Sequence, residues 1–144
     1  MIITRRILEL IDRSVPREHT EAGGILGSRN GEKVDSVVFD IPDCEVPMGC
    51  VYSPDVDYLN DRIKQWQHEG IRFMGMFHTH FHGVRTLSCG DKRYIHAIMN
   101  AMPVEINRLY FPVYVLPERE LVCYIATRSC ENVEIRQEML YVKK

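Results

Sequence analysis

The residues best able to do chemistry lie close together just past the middle of the chain. His78 and His80 are separated by one residue, so on a β-strand their side chains point to the same face. Asp91 follows Ser88 by three residues, and a helix beginning there can carry its carboxylate back over the strand end. Two imidazoles and a carboxylate bind zinc and leave a fourth tetrahedral position for water, as in catalytic sites. The spacing therefore indicates a metal centre.

A further carboxylate, Glu21, is the candidate for proton transfer. It stands just ahead of a short glycine-bounded strand, Gly23 to Gly27. Small residues there let neighbouring backbones approach closely, which predicts that Glu21 faces the two histidines. A catalytic zinc ion lowers the pKa of its water and polarises a substrate carbonyl, and a nearby carboxylate takes up the proton.

Each of these features has an ordinary explanation when it is taken alone. Ser88-x-x-Asp91 is also a helix capping box, and His-x-His on a strand is a weak signal of a metal site. Glu21 by itself would be a solvated turn residue. Their combination is what indicates hydrolytic chemistry.

The elements that must position these residues begin with a helix of about three turns. Asn30-Gly31, between apolar segments at 24–27 and 34–41, is a strong hairpin signal. Ser53 as cap and Pro54 in the first turn indicate a second helix, which Gly70 ends. The first helix ends at Pro16, and its apolar face is formed by Ile3, Ile7, Leu8, Ile11 and Val15.

The second half of the chain alternates strand and helix. A buried strand over 71–77 leads into the histidine pair, and a third helix ends at Pro103. Three strands follow, over 111–116, 121–127 and 133–141. This order predicts an α+β layered fold with a mixed central β-sheet and helices packed on it. Without repeats or linkers, residues 1–144 are expected to form one domain.

Composition bounds the function classes. The chain has 144 residues, 45% hydrophobic and 26% charged, with a formal net charge of −2, so a basic footprint for nucleic acid is absent. It contains no apolar run of about 18 residues, and acidic Glu9 and Asp12 interrupt any secretory signal. These features predict a cytoplasmic protein that binds neither nucleic acid nor membrane.

The cysteines form an odd set without a Cys-x-x-Cys pair. This suits a reducing compartment, disfavours a structural Cys₄ zinc site and sets aside a zinc deaminase, which uses Pro-Cys-x-x-Cys. Cys123, inside an apolar stretch, is expected to fill the core. The five are Cys44, Cys50, Cys89, Cys123 and Cys130.

The combined pattern resembles the JAB/MPN metallopeptidase family, whose JAMM motif runs Glu…His-x-His-x7-Ser-x-x-Asp. Glu21, His78, His80, Ser88 and Asp91 match it in order, with seven residues between His80 and Ser88. The family's Glu-x-x-Gly-x-Leu-x-Gly setting is present as well, and the element order suits its cytidine-deaminase-like architecture over nearly the whole chain. The chain looks most like the short bacterial type.

The resemblance implies a zinc hydrolase of amide or isopeptide bonds. His78, His80 and Asp91 would hold one Zn²⁺ per chain, and Glu21 would move the proton from water to the leaving amine. Ser88 would hydrogen-bond the water or the developing oxyanion. The family includes deubiquitinating enzymes, which implies a ubiquitin-like or sulfur-carrier-like protein as substrate, and short bacterial members often accompany ubiquitin-activating-like and conjugating-like proteins.

The sequence departs from the family pattern at a few places. Phe81 follows the second histidine where the family usually has Pro, and His82 adds an imidazole in what Gly83 indicates is a loop. Cys89 lies beside Ser88 and is expected to be inert. Segments 43–53 and 103–110 are short where larger deubiquitinases carry insertions that grip ubiquitin. The resemblance therefore implies the hydrolytic chemistry more strongly than it implies ubiquitin itself as the substrate.

Two alternatives remain open. One is a non-catalytic MPN-type scaffold, which the five intact motif residues disfavour. The other is a homodimer. Relatives often pair through helices, and the apolar stripe of the amphipathic helix from Asp55 to Glu69 offers a surface for such pairing. Packing on the sheet explains that stripe equally well.

Overall fold

The computed structural model describes residues 1–42, 52–130 and 132–144. The expectations for Cys44, Cys50 and most of segment 43–53 lie outside these residues. The elements are β1 (Ile2–Thr4), α1 (Arg5–Ser14), β2 (Gly23–Ser28), β3 (Lys33–Val34), β4 (Ser36–Asp40), α2 (Val56–Glu69), β5 (Arg72–His80), α3 (Cys89–Ala101), β6 (Arg108–Tyr110), β7 (Val113–Val115), β8 (Glu120–Ser129), β9 (Asn132–Glu138) and β10 (Tyr141–Lys143).

A mixed seven-stranded sheet forms the centre of the molecule. From one edge it runs β4, β2, β5, then β6 and β7 end to end, then β8 and β9. β5 is parallel to β6 and β7, and the other neighbouring pairs are antiparallel. A small parallel sheet of β10, β1 and β3 stands beside it. The predicted class, helices packed on a mixed central sheet, is confirmed.

Each face of the central sheet carries its own hydrophobic core. α1 packs on one face through Ile7 and Ile11, together with Phe77 from β5. Trp66 of α2 and Met99 of α3 cover the other face. Burying a large apolar side chain stabilises the fold by about 1.5–3 kcal/mol, so these two layers hold β5 firmly between them.

Local chemistry explains where α1 begins and ends, where α3 begins and where α2 ends. Thr4 caps α1 by accepting a hydrogen bond from the Ile7 N–H, and Val15, the residue before Pro16, is extended as pre-proline residues usually are. Ser88 caps α3 in a complete capping box with Asp91. The predicted end of α2 is also confirmed, since Gly70 adopts a left-handed conformation there, with φ 74°.

Three boundary predictions differ from the structure. Ile3 lies in β1, where it pairs with Val34 and Val142, and not on the first helix. The predicted strand over 111–116 is shorter in the structure, where β7 covers Val113–Val115, and Pro112, which has no N–H, separates it from β6. The predicted strand over 133–141 divides into β9 and β10, which belong to different sheets, and the amino-terminal ammonium binds the Met139 carbonyl between them.

The start of α2 also differs from the prediction. Asp55, not Ser53, caps the helix, and Pro54 precedes it. Asp40 causes this difference, because its carboxylate accepts the Asp55 N–H at 2.9 Å and fixes the main chain just before the first turn. Asp55 in turn accepts from the Tyr58 N–H.

The hairpin prediction at Asn30-Gly31 is confirmed. β2 and β4 pair antiparallel, Gly31 has φ 77°, and the Asn30 side chain accepts hydrogen bonds from the N–H groups of Glu32 and Lys33.

Cys123 is buried in the core as expected, and burial raises the pKa of its thiol to about 12. None of the helices in the described ranges is long and apolar enough to cross a bilayer.

A polar cluster joins the end of α1 to the turn between β7 and β8. Asp12 accepts hydrogen bonds from Arg119, from the hydroxyl of buried Tyr114 and from Arg17. The bond from Arg119 above all, with those from Tyr114 and Arg17, holds the pKa of Asp12 well below its usual range. The cluster therefore stabilises the fold only while Asp12 is ionised.

We predict that Asp12→Asn lowers the free energy of unfolding by about 2 kcal/mol at pH 7, because it removes charge-assisted hydrogen bonds. The native carboxylate has the lower pKa, so its contribution is present above the unfolded pKa of about 4 and lost as the pH falls below it. The difference between wild type and variant should shrink in acid, measured by urea unfolding from pH 7 to pH 3. Exposed Asp61→Asn removes the same charge as a control, and an equal loss there would contradict the prediction.

Candidate metal centre

The pairing of β2 with β5 brings the candidate residues together. Gly23 lies opposite His78, and the Thr79 N–H donates to the Ala22 carbonyl at 2.8 Å. The buried Thr79 hydroxyl accepts the Ala22 N–H at 2.9 Å. These bonds hold Glu21, the next residue, at the end of β5. β5 extends beyond the predicted 71–77 and runs through both histidines, so their imidazoles share one face, as expected for alternate residues of a strand.

His80 is oriented by a main-chain carbonyl. Its Nδ1 lies 3.1 Å from the Val84 oxygen. A carbonyl only accepts, so Nδ1 carries a proton, and in the neutral form of the ring Nε2 has the lone pair that a metal ion would bind. A hydrogen bond of this kind fixes the tautomer of metal-binding histidines in general.

Asp91 reaches the same point from the first turn of α3. Its N–H donates to Ser88 Oγ at 3.0 Å, and its Oδ2 accepts the Ser88 N–H at 2.9 Å. The capping box thus leaves the carboxylate facing the histidines, with Oδ1 3.3 Å from His78 Nε2 and Oδ2 3.1 Å from His80 Nε2. Ser88 and Asp91 serve as a capping pair and also lie at the site, as the sequence suggested.

Charge and burial oppose one another at this carboxylate. Burial alone would raise the pKa of Asp91, but its hydrogen bonds with His78 and His80 hold that pKa well below the usual range. Burial alone would lower the pKa of His80, and its bond with Asp91 more than reverses the effect, so the net pKa is raised. Asp91 is therefore an anion that faces two ring nitrogens.

The three groups fit a metal ion. The two Nε2 atoms are 3.0 Å apart, and the ligand atoms of His78, His80 and Asp91 all lie within 4.8 Å of one another. Ligands 2.0–2.1 Å from a tetrahedral zinc ion are separated by about 3.3 Å, close to the distances here. Because His80 donates its Nδ1 proton to Val84, its Nε2 could coordinate a cation in place of the hydrogen bond to Asp91. A cation there would satisfy all three groups.

Glu21 lies beside this centre. It borders a cleft of about 1050 Å³ together with His80, Ser88 and Asp91, so the side of the centre away from the sheet is open to a substrate. Its Oε2 accepts the Tyr52 N–H at 2.9 Å, and no described residue hydrogen-bonds to its Oε1. The structure thus brings all five sequence-predicted residues to one place, and their catalytic roles remain predictions.

Three neighbouring residues fall outside the ligand group. His82 follows the end of β5 in a loop, as expected, with a left-handed φ of 57°, and it lines the cleft. Phe81, where the family usually has Pro, packs against the core beneath α1. Cys89 is exposed at the first position of α3.

Tyr52, Asp40 and the Val84 carbonyl were not foreseen as parts of the site. The Tyr52 ring is nearly parallel to the His78 imidazole, at 12° with 6.4 Å between ring centroids. Its hydroxyl donates to Asp40 Oδ2 at 2.9 Å. Burial, together with this bond, raises the pKa of Tyr52 well above its ordinary value, so the hydroxyl remains a donor. No spacing in the sequence connects these residues to the histidines.

Comparison with solved structures shows the same fold elsewhere. A JAB1/MPN domain protein from Archaeoglobus fulgidus is 18% identical with a TM-score of 0.57, covering 100% of both chains. A protein from Desulfitobacterium hafniense is 22% identical with a TM-score of 0.65, covering 100% of this chain and 94% of that one. A protein from Salinibacter ruber is 17% identical with a TM-score of 0.60, covering 99% and 91%.

No protein-family model matches the sequence, and no curated protein matches it. At these identities the structural likeness shows the fold alone. The predicted JAB/MPN-like fold is confirmed, and a group able to hold a metal ion lies on it.

We predict about one zinc per wild-type chain and none in the His78→Ala/His80→Ala variant, because two of three ligands are lost. Elemental analysis after dialysis against zinc measures this. The matched control is His68→Ala/His96→Ala, which removes two exposed histidines from α2 and α3. Zinc retained by the first variant, or absent from wild type, would contradict the assignment.

Proposed function

We propose that this protein is a zinc-dependent metallopeptidase or isopeptidase that hydrolyses an amide or isopeptide bond. The observation that carries the proposal is the convergence of His78, His80 and Asp91 within 4.8 Å at the edge of an open cleft that Glu21 also lines. Two histidines and one carboxylate match the ligand count of a catalytic rather than a structural zinc site.

The role of the metal is limited to two effects. When bound, zinc supplies an acidified water and polarises the scissile carbonyl. His78, His80 and Asp91 would hold it, with His80 fixed by Val84 and Asp91 fixed by its capping box.

Glu21 is proposed as the general base and acid. One of its oxygens is held by the Tyr52 N–H, and the other, which has no hydrogen-bond partner among the described residues, would take a proton and later deliver it to the leaving amine. The main-chain bond fixes the carboxylate without neutralising it. Positioned proton transfer of this kind contributes about 10²–10⁴-fold to the rate.

Ser88 is proposed to stabilise developing negative charge. Its Oγ accepts the Asp91 N–H as a helix cap, which leaves the hydroxyl proton free to be donated into the cleft. Ser88 is exposed at the cleft wall, where a substrate oxygen can reach it. Removing a single donor of this class typically costs about 10²–10³ in kcat.

The proposed substrate is the carboxyl-terminal tail of a ubiquitin-like or sulfur-carrier-like protein. Support comes from the resemblance of the motif and from the cleft, which is open enough for an extended chain. A tail can add beside the site by main-chain hydrogen bonding, with its scissile carbonyl directed at the metal centre. Ubiquitin-activating-like and conjugating-like proteins are the partners that such a substrate implies.

We predict that Glu21→Gln retains one zinc per chain and lowers turnover about 10²–10⁴-fold, because the amide cannot accept the proton. Release of a fluorescent amine from the carboxyl terminus of ubiquitin and of a sulfur-carrier protein measures turnover. Glu18→Gln is the matched control, since it removes a neighbouring charge from the same cleft.

Two results would count against the proposal. Full activity in Glu21→Gln would remove that residue from the mechanism. Zinc-loaded wild type that hydrolyses neither reporter but binds one of the proteins tightly would favour the non-catalytic scaffold.

A further inference from the structure

The two histidines of the metal centre are supported in different ways. His80 donates its Nδ1 proton to the Val84 carbonyl at 3.1 Å. Within the described residues, no hydrogen bond is formed by Nδ1 of His78, although its Nε2 faces His80 and Asp91. Among the described residues, the usual device for orienting a metal-binding histidine, a hydrogen bond to Nδ1, is therefore present at His80 and not at His78.

A different contact lies against His78. The Tyr52 ring stacks on its imidazole, 12° from parallel and with 6.4 Å between centroids. Offset stacking of this type restricts rotation of the smaller ring about its side-chain bonds. Because His78 is only partly exposed between Tyr52 and the metal centre, the stack holds its Nε2 toward Asp91.

The side chain of Tyr52 is held in place by a hydrogen bond and by close packing. Its hydroxyl donates to Asp40 Oδ2 at 2.9 Å, and Asp40 is buried. Its ring lies over Gly23, the residue paired with His78, so closely that a Cβ on Gly23 would come within 2.6 Å of the ring. The ring thus occupies space that any other residue at position 23 would fill.

The same residue also contacts the candidate base. The Tyr52 N–H donates to Glu21 Oε2 at 2.9 Å. One residue therefore touches both a candidate ligand and the candidate proton acceptor, from a segment that Asp40 anchors at Tyr52 and at Asp55.

We propose that Tyr52 is a positioning residue, whose ring fixes the imidazole of His78 for metal binding while its main-chain N–H fixes Glu21. This rests on the proposed function in that it assumes a metal at His78, His80 and Asp91. The aromatic ring takes the place that a hydrogen bond to a main-chain carbonyl holds for His80.

The test is the affinity for Zn²⁺, measured by competition with a chromogenic chelator, and the visible absorption of the Co²⁺-loaded protein. Tyr52→Leu removes the ring and should weaken Zn²⁺ binding about tenfold or more, the range seen when a histidine loses its supporting group. It should also alter the Co²⁺ spectrum, since His78 is freed to rotate. Tyr52→Phe retains the ring, its packing over Gly23 and the main-chain bond to Glu21, so its Zn²⁺ affinity should stay closer to that of wild type than to that of Tyr52→Leu.

Matched variants separate positioning from general stability. Tyr58 is also close to the start of α2, is exposed, and its hydroxyl lies 3.5 Å from the Phe39 carbonyl, so Tyr58→Leu should leave Zn²⁺ affinity unchanged. A merely structural role for Tyr52 would lower the melting temperature of the metal-free protein without changing the affinity of the folded fraction or the Co²⁺ spectrum.

The possible failures are distinguishable. Wild-type Zn²⁺ affinity and Co²⁺ spectrum in Tyr52→Leu would overturn the positioning role and leave the metal centre intact. Equal weakening in Tyr52→Phe and Tyr52→Leu would overturn the assignment to the ring. Wild type without measurable affinity for either ion would overturn the metal centre, and the role of Tyr52 with it.

Discussion

The register between β2 and β5 is the constraint on which the candidate site depends. Gly23 must stand opposite His78, and the two main-chain and side-chain bonds between Ala22 and Thr79 hold it there. A slip of one residue would turn every side chain of β5 to the other face of the sheet. The histidines would then enter a hydrophobic core, and Glu21 would move away from them.

The site combines a stable local motif, the capping box of α3, with a close approach of two imidazoles and a carboxylate. The capping box at the start of α3 satisfies main-chain groups and at the same time presents Asp91. The Nε2 atoms of His78 and His80, by contrast, lie 3.0 Å apart and both face the carboxylate of Asp91. Arrangements that conflict with simple polar pairing are concentrated at functional sites, where a ligand relieves them. The well-packed layers around β5 keep this arrangement in place.

Sequence patterns predicted which segments form helices and strands better than they predicted where those elements begin and end. The hairpin at Asn30-Gly31 and the end of α2 at Gly70 follow from local backbone chemistry, and both are present. Ile3 matched a helical period but joined a strand, because β3 and β10 offered hydrogen-bonding partners on both sides. The cap of α2 moved to Asp55 because Asp40, distant in sequence, takes its N–H.

The sequence by itself determined which residues could bind a metal ion and how they are spaced along the chain. Alternation along a strand places His78 and His80 on one face, and the capping spacing places Asp91 in the first turn of a helix. Only the tertiary structure decided that the Val84 carbonyl orients one ring and that Tyr52, 31 residues from Glu21, contacts both Glu21 and His78. Periodicity and capping are local, whereas these contacts depend on how distant segments pack against the sheet.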